Sequence, residues 1–500
     1  MEVLERAVSE LGSVHTDLIL RWRARAAGTA LGGTAVAWSF GMSDVFDVVV
    51  IGAGTGGYSC AFRAAQLGKR VGLVERDERI GGTCLLRGCI PTKALLQSAA
   101  VMDAVTRSSE WGISASGEPD WAAIQAFESK IVDKLVSGVT GVMKARKVEL
   151  IAGSAVLRAG PTVEVEGRTL QATDVVIATG SRPKLLPGLE MSERIITSDQ
   201  ALWYDRLPGS AAIIGAGAIG LEFASFYRSM GADVTLIEAL PRLAPLEDED
   251  VSKEIARAFR RRGIVGHAGA SVQEVKEVDD HVEVAFDVGG KAQVVSADLC
   301  LVAVGRGPVT DGLGLEESGV ELDRGFLKVD GQLLTTAAHV WAIGDVAATP
   351  LQLAHVSFTE GYAVAERIAG IAVPEIDYAG IPRVTYSTPE ISSVGLTEAQ
   401  AVERGHEVRT EKLNFQSIGK ANILGEGGIV KIVAEADGGR VLGVHMVGPH
   451  VTDLISESML VVNWEAVPEE VAALFHPHPS LSEGVGEAFL ALAGKPLHGV

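Results

Sequence analysis

One pattern occurs twice in this chain and restricts its fold more than any other feature. Residues 46–51 (FDVVVI) form a β-branched run suited to a buried parallel strand. GAGTGG follows, with Gly52, Gly54 and Gly57. A helical stretch then spans 58–67, Gly68 closes it, and a second strand over 70–75 ends in Glu75. The same grammar returns with a strand at 211–214 and GAGAIG, with Gly215, Gly217 and Gly220. A helix over 221–230 and a strand over 233–238 ending in Glu238 complete it. A lone G-x-G-x-x-G is weak, but two copies, each with strand, helix and terminal acid, predict two dinucleotide-binding βαβ units. The first glycine makes the tight turn, the second admits a pyrophosphate to the backbone, and the third lets helix and strand pack closely. The helix N-terminus offers free N–H groups to phosphate, and the carboxylates accept hydrogen bonds from ribose hydroxyls.

Two further strands end in short glycine turns: 174–178 leads into Ala178, Thr179 and Gly180, and 340–343 into Gly344 and Asp345. An acid beside such a turn suits a ribityl or ribose hydroxyl, although each turn also has an ordinary structural reading. From about residue 376 the glycine fingerprint is absent. Strand-like runs at 428–434 and 441–447 alternate with helices at 452–464 and 468–474, as in a separate α+β domain that could serve dimerisation. A length of 500 residues accommodates about three domains.

The formal charge is −20, from 44 basic and 64 acidic residues. That argues against nucleic acid or an anionic membrane surface as partner. No run reaches the roughly 20 apolar residues of a membrane span. Residues 26–40, preceded by Arg21, Arg23 and Arg25, resemble a short signal-like segment. Glycines and threonines break the run, and Met42 stands just before the first unit. Residues 1–43 are therefore expected to be a disordered or dispensable extension, and the location cytoplasmic.

Four cysteines, Cys60, Cys84, Cys89 and Cys300, are too few for a disulfide scaffold. Cys84 and Cys89 lie in GGTCLLRGCIPTK (81–93). Zinc is the obvious rival for such a pair, but no second cysteine pair exists and Cys60 sits in the first βαβ helix, so no metal is expected. A redox disulfide remains, its thiolate favoured by a helix start and by the charge of Arg87.

GGTC-x4-C-IPTK after a first βαβ unit, followed by the ATG turn, GAGAIGLE, WAIGD and HPHPSLSE, resembles the flavoprotein disulfide reductases, the class I pyridine nucleotide-disulfide oxidoreductases, from Asp44 to the C-terminus. The resemblance implies an α/β fold of two Rossmann-like domains and an α+β dimerisation domain. It divides the chain into an FAD-binding domain (44–187 and 308–375), an NAD-binding domain (188–307) and an interface domain (376–500). Within the family the chain is most similar to the branch that oxidises protein-bound dihydrolipoamide with NAD. Glu238 suits the free 2′-hydroxyl of NAD rather than a 2′-phosphate, and no cysteine follows Cys300. FAD would be held by Gly52, Gly54, Gly57, Glu75, Arg76, Gly82, Thr83, Lys93, Thr179, Gly180, Gly344, Asp345, Leu353, Ala354 and His355. NAD would be held by Gly215, Gly217, Ile219, Gly220, Glu222, Glu238 and Gly305. Cys84 would exchange thiols with the substrate and Cys89 would face the flavin. Lys93 would pair with Glu222 beside it. His478 and Glu483 would form the acid–base pair and reach the disulfide of a second subunit, making the working unit a homodimer. The implied partners are lipoyl domains and the acyltransferase core of 2-oxo acid dehydrogenase complexes, or glycine cleavage.

His478 also has a case of its own. An imidazole titrates near neutrality, and a carboxylate five residues on, past Pro479, can fix its tautomer. The rival readings are a solvent-facing loop and a metal site with His476, for which no third ligand is evident. Three places depart from the family pattern: Leu86–Arg87 between the cysteines, Ala218 near the nicotinamide, and Gly307 after Arg306. A sister reductase for mycothione or glutathione would share everything upstream of the substrate. A purely binding subunit would need none of Cys84, Cys89, His478 and Glu483.

Overall fold

The computed structural model describes residues 44–498; the expected N-terminal extension lies outside them. The first βαβ unit is β1 (Val45–Ile51), α1 (Thr55–Gln66) and β2 (Val71–Glu75). Val48, Val49 and Val50 are all fully buried, on alternating faces, because helices cover both sides of a parallel sheet. A short helix α2 (Gly82–Arg87) and a long one α3 (Cys89–Thr106) follow, separated only by Gly88. Helix α4 (Trp121–Ala145) packs along α3 and leads to β3 (Glu149–Ala152). Strands β4 (Ala155–Leu157), β5 (Thr162–Val165) and β6 (Arg168–Ile177) complete a sheet ordered β3-β2-β1-β6-β5-β4.

The second unit begins with β7 (Ile195–Thr197), β8 (Ser210–Ile214), α5 (Ala218–Ser229) and β9 (Asp233–Glu238). Helix α6 (Glu249–Arg261) and β10 (Val265–Ala268) extend it. An antiparallel meander, β11 (Ala270–Val278), β12 (His281–Val288) and β13 (Lys291–Ala297), precedes β14 (Leu299–Val302). The parallel order is β10-β9-β8-β14-β7. The chain then returns: β15 (Val340–Ala342) pairs with β6 of the first sheet, and α7 (Ala354–Ile368) packs on α1. The first sheet is therefore built from two separated stretches of sequence.

The remainder forms an antiparallel sheet of β16 (Arg383–Thr385), β17 (Glu390–Gly395), β18 (Val408–Asn414), β19 (Ile429–Glu435) and β20 (Val441–Gly448), ordered β16-β17-β20-β19-β18. Helices α8 (Val451–Asn463) and α9 (Glu483–Leu492) cover it. The helix expected over 468–474 is shorter, Pro468–Val471. Both fingerprint helices start about a turn earlier than the sequence pattern suggests, with Gly54 and Gly217 as their N-caps. The third glycine of each motif lies in the first helical turn, which brings that turn's free N–H groups up to the sheet's edge.

The three sheets are locked together at named points. Helix α3 packs on α5. Arg262 donates to Asp103, Ser229 and the Thr388 carbonyl, joining all three parts. Lys431 of β19, buried, meets Asp248 at 2.9 Å, Asp250 at 2.8 Å and Glu398 at 2.7 Å. No helix of the described residues is long and apolar enough to cross a membrane.

Candidate active site

The two fingerprints fold into the same device. Gly52 has φ +103° and Gly215 φ +105°, backbone that L side chains rarely adopt. A Cβ on Gly57 would lie 1.8 Å from the Gly52 carbonyl oxygen, and one on Gly220 1.9 Å from that of Gly215. Glu75 accepts from the amides of Ala53 at 2.7 Å and Asp77 at 2.9 Å. Glu238 repeats this with Ala216 at 2.6 Å and Leu240 at 2.8 Å. Each carboxylate is thus pinned at the end of its second strand, beside the glycine turn.

A cleft of about 820 Å³ opens at the carboxyl ends of the first sheet. Of the residues expected to hold FAD, Gly52, Gly54, Glu75, Arg76, Gly82, Thr83 and Lys93 line it. So do Thr179, Gly180, Gly344, Asp345, Leu353, Ala354 and His355. Gly57 is buried behind the turn. At its floor two backbone turns pack too closely for a side chain, a Cβ on Gly82 coming within 2.5 Å of the Gly54 Cα. Asp345 accepts from Ser181 Oγ at 2.5 Å and keeps its other oxygen for a hydroxyl. Of the expected NAD set, Ile219 and Glu222 reach this cleft; Gly215, Gly217, Gly220, Glu238 and Gly305 do not line it. They mark the second sheet's own turn and strand ends.

Cys84 on α2 and Cys89, the first residue of α3, both line the cleft as free thiols hydrogen-bonded to each other. Cys84 is pushed up, first by that bond and then by burial. Cys89 is held down to about 7, first because Cys84 donates to it; the Lys93 ammonium then works against burial. Lys93 Nζ donates to both oxygens of the buried Glu222 at 2.9 Å. Burial alone would lower the Lys93 pKa, but Glu222 more than reverses this, so the ammonium stays charged beside Cys89. Arg87, expected to assist a thiolate, instead forms an ion pair with Asp77.

His478 and Glu483 meet as the sequence suggests. Nδ1 lies 2.7 Å from Glu483 Oε1, and the Ser480 amide donates to Oε2 at 2.8 Å. The carboxylate is held below its usual range, the Ser480 amide and His478 outweighing burial. Nε2 of His478 faces solvent, and the ring is 77% exposed. Neither residue lines the cleft. His476 is occupied by Glu457 at 2.8 Å rather than by a metal-like cluster with His478. Among the described residues no three His, Cys, Asp or Glu side chains gather as a metal requires.

Sequence reasoning missed several lining residues. The Tyr386 ring lies 4.7 Å from the Lys93 ammonium, and its amide donates to Glu222 at 2.9 Å. No motif surrounds Tyr386, so no signal marked it. Ser357 bonds Thr55 at 2.6 Å across α7 and α1. Arg306, noted only for its neighbour, donates to Ser181 Oγ at 2.7 Å and to the Ser181 carbonyl at 2.8 Å.

Residues 46–361 match the family model described as pyridine nucleotide-disulphide oxidoreductase, and 381–489 match that family's dimerisation domain. A dihydrolipoyl dehydrogenase of Bacillus subtilis is 42% identical over 475 residues, covering 91% of this chain and 100% of the relative. One of Rhizobium etli is 40% identical with the same coverage. The crystal structure of LpdA from Mycobacterium tuberculosis superposes with a TM-score of 0.82 at 27% identity, over 89% of this chain and 99% of that one.

Proposed function

The chain belongs to the pyridine nucleotide-disulphide oxidoreductase family, and from that premise we propose that it performs the dihydrolipoyl dehydrogenase reaction with these residues in the roles that follow. It is an NAD-dependent flavoprotein oxidoreductase, with FAD and NAD as cofactors. The observation that carries the reading is the thiol pair Cys84–Cys89 lying against the Lys93–Glu222 pair in a cleft whose glycine cradle and pinned Glu75 fit an FAD. We assign 44–187 and 308–375 to FAD, 188–307 to NAD and 376–500 to the subunit interface.

With the pair oxidised, one thiol of dihydrolipoamide gives its proton to His478 Nε2, because Nδ1 is committed to Glu483. The substrate thiolate attacks Cys84 Sγ; the Cys84–Cys89 bond breaks and Cys89 leaves as thiolate. The second substrate thiol displaces Cys84, lipoamide departs, and the dithiol state remains. The ammonium of Lys93 stabilises the Cys89 thiolate and is kept charged by Glu222. FAD, when bound, supplies the two-electron relay between that dithiol and NAD. Glu238 would orient the NAD ribose and Gly217 would admit its pyrophosphate.

The His478–Glu483 pair lies within the region that matches the dimerisation domain, outside the cleft of its own chain, and next to the fully exposed Phe475. We assign it to the cleft of a second copy in a homodimer. Lipoyl domains and the acyltransferase core of a 2-oxo acid dehydrogenase complex are the proposed macromolecular partners. The purified dimer, given NADH and lipoamide, glutathione disulfide or mycothione in parallel, should reduce lipoamide by far the fastest. A preference for either other disulfide would reassign the substrate.

A further inference from the structure

Arg87 has no part in the chemistry above, yet it lines the same cleft. It ends α2, the helix that carries Cys84, and its guanidinium pairs with Asp77 from the loop after β2. Asp77 is itself fixed, its amide donating to Glu75, the carboxylate pinned beside the first glycine turn. The Arg87–Asp77 contact therefore ties the redox helix to the ribose-recognition loop.

Asp199, also in the lining, lies within electrostatic reach of both Arg87 and Arg306. Arg76 lines the cleft as well, while three other cations there are committed to partners. Lys93 is held by Glu222, Arg182 by Asp311 at 2.5 Å, and Arg306 by Ser181, with Asp345 4.0 Å away. Gly54 and Thr55, at the N-terminus of α1, line the same cleft, and such a helix start suits the concentrated negative charge of a diphosphate. A guanidinium in the same cleft offers planar, permanently charged donors to such a group.

We infer that Arg87 is an FAD-retaining residue, which closes the phosphate-bearing part of the cleft over the cofactor while Asp77 holds its guanidinium in place. The inference rests on FAD as the occupant of the cleft. It is distinct from a role in thiol activation, which would move the thiolate midpoint, where Cys84 and Lys93 are the groups that lower Cys89.

The experiment compares holoenzymes of wild type, Arg87→Leu, Arg87→Lys and Asp77→Asn. One readout is the rate of FAD release on dilution, followed by free-flavin fluorescence. A second is the pH titration of the thiolate in the reduced protein. Arg87→Leu should release FAD about ten- to a hundredfold faster, the loss expected for one charged donor. Arg87→Lys should recover most of the retention, and the thiolate midpoint should not move in either variant. Asp77→Asn should fall well short of Arg87→Leu, because the guanidinium remains.

Unchanged release from Arg87→Leu would overturn the inference. So would Asp77→Asn matching it, which would make the ion pair a structural tie alone. If Arg87→Leu does not fold, Arg87→Gln against Arg87→Lys carries the same comparison. A wild-type protein that neither carries nor takes up FAD would instead remove the cofactor reading beneath it.

Discussion

The chemistry depends on a few side chains whose environments push them apart. Cys89 is held at about 7 against an ordinary value of 9.0, while Cys84 is raised. The pair titrates as a unit, so the reduced protein should lose its first thiol proton near neutrality. The fold favours the Cys89 thiolate. Its contribution to stability is complete above 9.0 and is lost as pH falls through about 7. Thiolate absorbance against pH should show this midpoint, and Lys93→Met should move it upward by removing the nearby ammonium; an unmoved midpoint would take Lys93 out of the pair's environment. His478→Gln should slow reduction by dihydrolipoamide about 10²- to 10⁴-fold, the usual worth of a general base. NADH oxidation by an artificial acceptor, which needs no thiol proton, should be nearly untouched. Equal losses in the two assays would remove His478 from proton transfer.

At the level of elements, the two glycine turns were readable from sequence because their constraint is local. Gly57 and Gly220 must lack a Cβ whatever surrounds them, since the clash is with a carbonyl five residues back. The duplication yields a clean test. Gly220→Ala should leave flavin bound and abolish NADH binding, whereas Gly57→Ala should yield flavin-free protein; loss of flavin from Gly220→Ala would refute the division of labour. What sequence could not show is which elements meet in space. Tyr386 reaches Lys93 because β16 of the third sheet runs past the α3–α5 contact, a juxtaposition no periodicity encodes. The partner of Arg87 was hidden for the same reason: its closeness to the cysteines in sequence suggested thiolate support, and nothing in the pattern pointed to its ion pair with Asp77. Glu128 on α4 was invisible too. It is fully buried, neither oxygen has a hydrogen-bond partner, and burial raises its pKa to about 8. Glu128→Leu should stabilise the protein by about 1–3 kcal/mol, the gain growing as pH rises from 4.5, where the unfolded carboxyl ionises, to about 8, where the native one does, and levelling off above that. A thermal-unfolding series across pH measures this.

For the whole molecule, the motif order revealed the family and the fold class, and the relatives agree with both. The network joining the sheets carried no signature. Lys431 is a single lysine in a strand, yet it balances three carboxylates from two other elements. Lys431→Met should cost about 3–5 kcal/mol by leaving Asp248 buried without its cation; a change under 1 kcal/mol would mean water reaches that junction. The placement of His478 belongs to this scale as well. Dimers formed from Cys84→Ser and His478→Gln chains should show activity far above that of either parent, because one of their two sites holds an intact cysteine pair and an intact histidine. No recovery would put the pair in its own chain's cleft. The central claim is that electrons from a dithiol enter through Cys84 and leave as NADH. Anaerobic addition of dihydrolipoamide to the purified protein, followed by NAD⁺, tests it most directly. Flavin absorbance should change on the first addition and recover on the second as NADH appears, and Cys84→Ser should keep its flavin and do neither. A Cys84→Ser protein that responds like wild type would contradict the account.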